Sequence, residues 1–419
     1  MHIVDLNDDA LFEIMEYLDL EDKISLWEAT EPTTRLADIT SYAWRRQTGH
    51  IIDLDYLTNL ELLNSFLSII CPTVVDVVLH MGEVRLPQMN IIQRHVFPKV
   101  RHLEVNILMD WLSHPYYDTL LCNLWFDRNV GMLADCFPNI QGINLTGDNF
   151  YTTGLHFSKW ECLTHLYVVN ASELWTTENF KEICEKFKNL KALSIDIDNG
   201  YTHNGDPFID AICTLENLEH LWFNAFYLSM DNSRKLLTKL PKLRQLRCNE
   251  SNLRWAPLIH LRDTRPEDVR SIACSNLWLC YSTDVDSETE AAEIFRVSFR
   301  QVLRNFPRLE ALHFRQSNIW RNVDQLWDML YHCPHLKMLS IRTVYMSSFK
   351  FSKARMIRAL RHRTEPLNFH VQDTEHQTII TTMLNRPDIK VTFGPLPDQQ
   401  QVFGNNCIEF HLHPLVSNV

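Results

Sequence analysis

The sequence predicts an α/β protein in three parts: an all-α module over residues 1–48, a repetitive body of strands and helical returns over 49–395, and a closing cap or tail over 396–419. Three observations carry this reading. A six-residue apolar spelling recurs ten times along the body. Most copies follow a bulky residue at a fixed distance, often with proline beside it. The N-terminal stretch instead has the i, i+3, i+4, i+7 spacing of an amphipathic helix.

Composition narrows the function classes. The 419 residues carry a net charge of −12, with 45% hydrophobic and 22% charged residues, as in a folded rather than a disordered chain. No apolar run approaches the ~18 residues of a membrane helix. Met1-His2-Ile3-Val4-Asp5 lacks the basic and apolar segments of a signal peptide, so a soluble protein of the cytoplasm, the nucleus or both is expected. The 10 glycines are few against a usual ~7%, and backbone that wraps phosphate needs glycine. Gly142-Ile143-Asn144-Leu145-Thr146-Gly147 runs on into Asp148-Asn149 instead of the Lys and Ser/Thr of a P-loop. Eleven scattered cysteines without a Cys-x-x-Cys pair fit reduced, buried thiols, not a disulfide frame. No cofactor is expected.

The recurring spelling is apolar-x-x-apolar-x-apolar. It begins at Val74, Val100, Ile140, Leu163, Leu190, Leu218, Leu243, Cys274, Leu309 and Leu336, with degenerate copies at Leu367-x-Phe369 and Ile389-x-Val391. Apolar residues two apart point to one face of a strand. Three residues before the first position sits a bulky side chain, as at Phe97, Phe137, Trp160, Phe187, Phe306 and Cys333. Several returns read as helices: Phe180, Ile183, Cys184 and Phe187 behind a Thr176 or Thr177 cap, Asp206-Pro207 as a helix start, Ser287-x-x-Glu290 as a capping box, and Val323, Leu326, Trp327 and Leu330 as an amphipathic stretch. This pattern resembles a leucine-rich repeat of the irregular type, over roughly residues 50–395. The resemblance implies a horseshoe-shaped solenoid with a parallel sheet on its concave side.

In the N-terminal part, Leu11, Ile14, Met15 and Leu18 share one helical face, Ile24, Leu26 and Trp27 begin a second apolar patch, and Trp44-Arg45-Arg46 closes the segment. So small a core suggests that the module docks on something. Residues 4–47 resemble an F-box, with Leu6, Ile14, Leu18, Asp22, Leu26 and Trp44 at the family's positions. Asn7, Lys23, Thr30 and Thr33 stand where the family has Pro, Leu, Cys and Trp. The resemblance implies a substrate-recognition subunit of a Skp–cullin–F-box ubiquitin ligase, touching its Skp-type adaptor through Leu6, Leu11, Ile14, Met15, Leu18, Ile24 and Leu26, and reaching cullin and RING subunits through it. The other reading is a helical cap over the first repeat, in a scaffold or inhibitor with no ligase partner.

A protein substrate would meet residues that alternate with the buried ones along each strand. Tyr167, Trp222, Arg247, Trp278, His313, Arg315 and Arg342 take such places, and aromatic and arginine side chains are frequent binding anchors. They suggest an apolar anchor site beside an acidic or phosphorylated stretch, or else ordinary surface residues. Lys350, Lys353, Arg355, Arg358, Arg361 and Arg363 form a second basic cluster, read as a solvated helix face with Met356, Ile357 and Leu360 inward. Nucleic-acid and membrane partners are not expected of so acidic a chain. No hydrolase elbow, zinc-protease helix or EF-hand appears, so the chain is not expected to be an enzyme. His332-Cys333-Pro334-His335 reads as repeat packing, not a metal site. Ile408, Phe410 and Leu412 alternate with polar residues, which reads as a closing strand.

Overall fold

The computed structural model describes residues 6–30, 34–81, 86–107, 119–147, 150–168, 171–172, 176–196, 206–224, 230–249, 268–274, 303–304, 306, 308–314, 323–341, 352–395 and 407–413. The chain forms two compact units, Met1–Ile197 and Asp198–Val419.

Unit 1 opens with three helices, α1 (Asp8–Tyr17), α2 (Leu20–Glu28) and α3 (Arg35–Arg46). Each starts where a side-chain oxygen takes up an orphan backbone N–H: Asn7 accepts from Ala10, Asp19 from Asp22 and Thr34 from Ala37. Leu11, Met15, Leu36, Ile39 and Ala43 form their shared core. The Arg35 guanidinium donates to Asp8 and to the Leu6 carbonyl, tying the start of α3 to the start of α1.

The rest of unit 1 alternates strands and returns: β1 (Gly49–Asp53), α4 (Leu60–Ile70), β2 (Asp76–Met81), α5 (Leu86–Ile92), β3 (His102–Ile107), α6 (Thr119–Cys136), β4 (Gly142–Gly147), β5 (Phe150–Tyr151), β6 (His165–Val168), β7 (Ala171–Ser172), α7 (Thr177–Lys186) and β8 (Ala192–Asp196). The main sheet runs β1-β2-β3-β4-β6-β8, with each neighbouring pair parallel. β5 and β7 pair separately. The long spacing between Val100 and Ile140 is filled by α6.

The bulky residue ahead of each strand has a precise role. Phe97, Phe137, Trp160 and Phe187 are buried, and the carbonyls of Phe97, Trp160 and Phe187 accept from the N–H three residues on, at Val100, Leu163 and Leu190. This is a β-turn that feeds the chain into the strand. Pro98 takes its second position, where proline's fixed φ fits. Successive repeats stack these residues: the Phe97 and Phe137 rings lie 4.6 Å apart, and Trp160 Nε1 donates to the Phe137 carbonyl at 3.0 Å.

Unit 2 continues the same logic with α8 (Asp206–Ile212), β9 (His220–Asn224), α9 (Met230–Lys239), β10 (Gln245–Asn249), β11 (Val269–Cys274), β12 (Ala311–Phe314), α10 (Val323–Leu330), β13 (Met338–Ile341), α11 (Lys353–Leu360), β14 (Leu367–Val371), α12 (Gln377–Met383), β15 (Ile389–Phe393) and β16 (Cys407–Leu412). Its strand order is β9-β10-β16-β11-β12-β13-β14-β15.

Two sequence expectations are corrected here. Ser271, Ile272, Ala273 and Cys274 pair with Ala311, Leu312, His313 and Phe314, so the eighth repeat reads Val269-x-x-Ile272-x-Cys274 rather than starting at Cys274. Cys274 is the last apolar position of the strand, and Val269 is the buried first one. The C-terminal strand, in turn, is no end cap. β16 lies antiparallel between β10 and β11, where the Leu412 N–H donates to the Arg244 carbonyl at 2.7 Å and the His413 N–H to that of Asp268 at 2.9 Å. Residues 407–412 therefore belong to the repeat body.

α11 departs in detail from the expected face. Met356, Ala359 and Leu360 are buried and Ile357 is exposed. Its two arginines are tied to neighbours: Arg355 pairs with Asp328 at 3.0 Å and Arg358 lies 4.6 Å over the Tyr331 ring. Arg363 donates to the Leu330, Cys333 and Leu336 carbonyls. Burial pushes the Cys333 thiol up to about 12. Within His332–His335 the thiol of Cys333 is buried, while His335 is exposed. Among the described residues no helix is long and apolar enough to cross a membrane, and no group of metal-ligating side chains converges.

Candidate functional site: the strand face of unit 1

Alternation along each strand gives unit 1 an inward and an outward row. Inward, Ile52, Val77, Leu79, Leu103, Val105, Ile143, Leu145 and Leu166 are buried. Outward, register aligns Ile51, Val78, Glu104, Asn144, Tyr167 and Ser194 across β1, β2, β3, β4, β6 and β8. A parallel row holds Gly49, Asp76, His102, Gly142, His165 and Ala192.

Together the two rows from β1 to β6 line a groove of about 490 Å³, the size class of a ligand pocket. Gly142 opens its floor: a Cβ there would come within 3.0 Å of the His102 ring and 3.6 Å of His165 Cβ. One end is apolar, with Ile51 at 53% exposure beside Val78. Tyr167 stands toward the other, its phenol pushed up by burial.

Polar groups on this face are held in short local networks. His102 Nδ1 meets Asp76 Oδ1 at 2.7 Å, His80 Nδ1 lies 3.5 Å from Asp53, and the Thr164 hydroxyl meets His165 Nδ1 at 2.8 Å. Asn106 Nδ2 donates to Glu104 Oε1 at 3.1 Å, and the Thr146 hydroxyl donates to Asn106 Oδ1. Among the described residues the second Glu104 oxygen makes no hydrogen bond, and the Asn144 side-chain oxygen is buried without a partner. Such an unmet acceptor costs about 1–3 kcal/mol unless something donates to it.

The residues singled out in sequence distribute unevenly. Tyr167 lies in this groove. Trp222 and Arg247 are register neighbours on β9 and β10 in unit 2, and His313 is on β12. Arg247 is only 6% exposed and stands opposite Glu409 of β16; it is no free cation for an acidic ligand. Glu409, itself 3% exposed, also meets His411 at 2.7 Å. Trp278, Arg315 and Arg342 lie outside the described residues, and the residue in register with His313 on β11 is Ala273.

At the N-terminus, Leu11, Met15 and Ile24 are buried within the chain itself. These three were expected to meet an adaptor; in the chain itself Leu11 and Met15 belong to the core that α1 and α3 share. Leu6, Ile14, Leu18 and Leu26 stay partly exposed, and Tyr17 is 91% exposed. Lys23, at the departure from the F-box pattern, is buried, and desolvation lowers its pKa against the pull of Asp19 and Glu16. Trp44 packs edge-on against Phe66 at 5.0 Å and meets Trp27 at 5.2 Å, so α3 also covers the first repeat.

Sequence reasoning missed β1, and with it Ile51. In register its core positions are His50 and Ile52, opposite Val77 and Leu79, and histidine breaks the apolar spelling. The buried ring is satisfied by the Trp44 carbonyl, 2.9 Å from Nε2. The signal available was Ile51-Ile52 between Gly49 and Asp53.

No family model matches the chain, and no curated protein matches it. Among solved structures the chain is similar to one described as the crystal structure of a TLR13–ssRNA13 complex, at 12% sequence identity and a TM-score of 0.27. That similarity covers 85% of this chain and 63% of the other, so the chain spans less than two thirds of that protein's length.

Proposed function

We propose that this protein is a non-catalytic receptor of a cullin-RING ubiquitin ligase. Its N-terminal helices seat it on a Skp-type adaptor, and its leucine-rich repeats hold a protein substrate. The observation that supports the reading is the α1–α3 module, which closes a small core with Leu6, Leu18 and Leu26 packed half-buried at its edge, and leaves Ile14 half-buried and Tyr17 exposed. Apolar side chains gathered on so small a surface mark an interaction site. Leu11 and Met15 shape the helices; Ile14 and Leu18 touch the adaptor. The chemistry is proximity: one end fixed to the ligase, the other presenting the substrate's lysines to an enzyme carried elsewhere.

The test is co-expression with a Skp-type adaptor followed by size-exclusion chromatography. A one-to-one complex is expected, weakened on the order of 100-fold by Ile14→Asp with Leu18→Asp, while strand hydrogen exchange stays unchanged. A second reading, a scaffold without ligase partner, draws on the Trp44–Phe66 contact and the His50–Trp44 hydrogen bond, by which the module caps the first repeat. It predicts that the chain elutes apart from the adaptor and that the double variant loosens β1 and β2.

A further inference from the structure

We propose that the unit 1 groove is the seat of a basic, extended protein segment, with an arginine side chain laid across Glu104, Asn144 and Tyr167. This deepens the receptor reading, on which it rests, by naming the substrate's chemistry.

The three residues stand on adjacent strands in one register row, each step about 4.8 Å. Glu104 supplies a carboxylate with one oxygen unengaged among the described residues, and Asn144 beside it supplies a buried oxygen with no donor. A buried acceptor without a donor, set beside a carboxylate, suits a ligand rich in N–H groups. A guanidinium offers five in a planar fork and stacks on an aromatic ring such as Tyr167. Charge points the same way. The outward positions of β1, β2, β3, β4, β6 and β8 include Asp53, Asp76 and Glu104 and not one lysine or arginine. The histidines at hand are engaged elsewhere: His80 with Asp53, His102 with Asp76 and His165 with Thr164. An acidic or phosphorylated segment would meet repulsion here. In an extended segment alternate side chains share a face, so an apolar residue two along from the arginine reaches Ile51 and Val78.

The experiment is fluorescence anisotropy of the full chain with a labelled peptide alternating arginine and leucine, against the same peptide with glutamate for arginine. The arginine peptide is expected to bind at least about 30-fold more tightly, with affinity falling as salt rises. Glu104→Gln should weaken it about 10- to 100-fold, the size of a charge-assisted hydrogen bond, and Glu104→Lys should reverse the preference. Circular dichroism checks that both variants fold. No binding of the arginine peptide, equal binding of the two peptides, or an unchanged affinity in Glu104→Gln would each overturn the proposal. Adaptor co-elution, read in parallel, separates the two claims. Peptide binding without adaptor keeps the groove and drops the ligase; adaptor binding with a glutamate preference does the reverse.

Discussion

The two units build their strands from one repeat and use the resulting faces differently. Unit 1 keeps an uninterrupted parallel sheet whose outward rows are acidic and histidine-rich, with a groove over them. Unit 2 splits its parallel run with β16, which sets Glu409 opposite Arg247 and brings His411 into the row of Gln245 and Ser271. The core positions of both are the same buried aliphatics and aromatics, because those must fit their neighbours. The outward positions carry no such duty, so their chemistry is free to diverge. A buried spelling thus locates a face without saying what the face does.

The largest effect should come from removing what distinguishes unit 2. Phe410 is fully buried at the centre of β16, between Leu246 on one flank and Ile272 on the other. Phe410→Ala should cost about 3–5 kcal/mol and leave two sheet edges unpaired. Hydrogen exchange read strand by strand should show lost protection in β10 and β11, with β2 and β3 unchanged. Equal loss in β2 and β3 would make the units one cooperative body and dissolve the contrast.

That insertion marks where sequence reading stopped. The strand itself was legible, since Ile408, Phe410 and Leu412 alternate with polar residues. Its place was not, because strand pairing is a contact between residues far apart in the chain, and nothing local in 407–412 names Leu246 or Ile272. The repeats were legible where apolar spelling, bulky spine residue and turn coincide, as at Phe97-Pro98 before Val100. They slipped where one cue failed: Val269 lacks that preceding aromatic, and β1 has a histidine in its core row. Of the site, Tyr167 was legible as an outward aromatic. Glu104 and Asn144 were outward positions like many others, and only the buried, unmet oxygen of Asn144 beside the Glu104 carboxylate sets them apart.

A mid-sized effect should follow from a single methyl group in unit 1. Gly147 ends β4 opposite Ile107 of β3, and a Cβ there would lie 2.4 Å from the Ile107 carbonyl oxygen. Backbone cannot swing aside as a flexible side chain does, so Gly147→Ala must part the two strands, at about 1–3 kcal/mol. The urea midpoint measures it. The same change should weaken arginine-peptide binding, since Glu104 and Asn144 stand on those strands. A destabilised chain with full peptide affinity would place the ligand away from the β3–β4 step.

The smallest effect is a pH dependence lodged in unit 1. Burial lowers the pKa of His50, opposed by the Trp44 carbonyl and reinforced by nearby Lys23. The folded chain therefore holds the ring neutral at pH values where the unfolded chain, near 6.5, takes up a proton. As pH falls through that unfolded value the unfolded state binds more protons, and stability drops until the folded ring also titrates. The contribution is complete above about pH 6.5 and fades below it. His50→Gln keeps a donor for the Trp44 carbonyl and has no proton to gain. Its urea midpoint should change less than the native one between about pH 7.5 and about pH 5.5. Identical slopes in the two proteins would mean that His50 protonates in place, and that the joint between α3 and the first repeat is open to water.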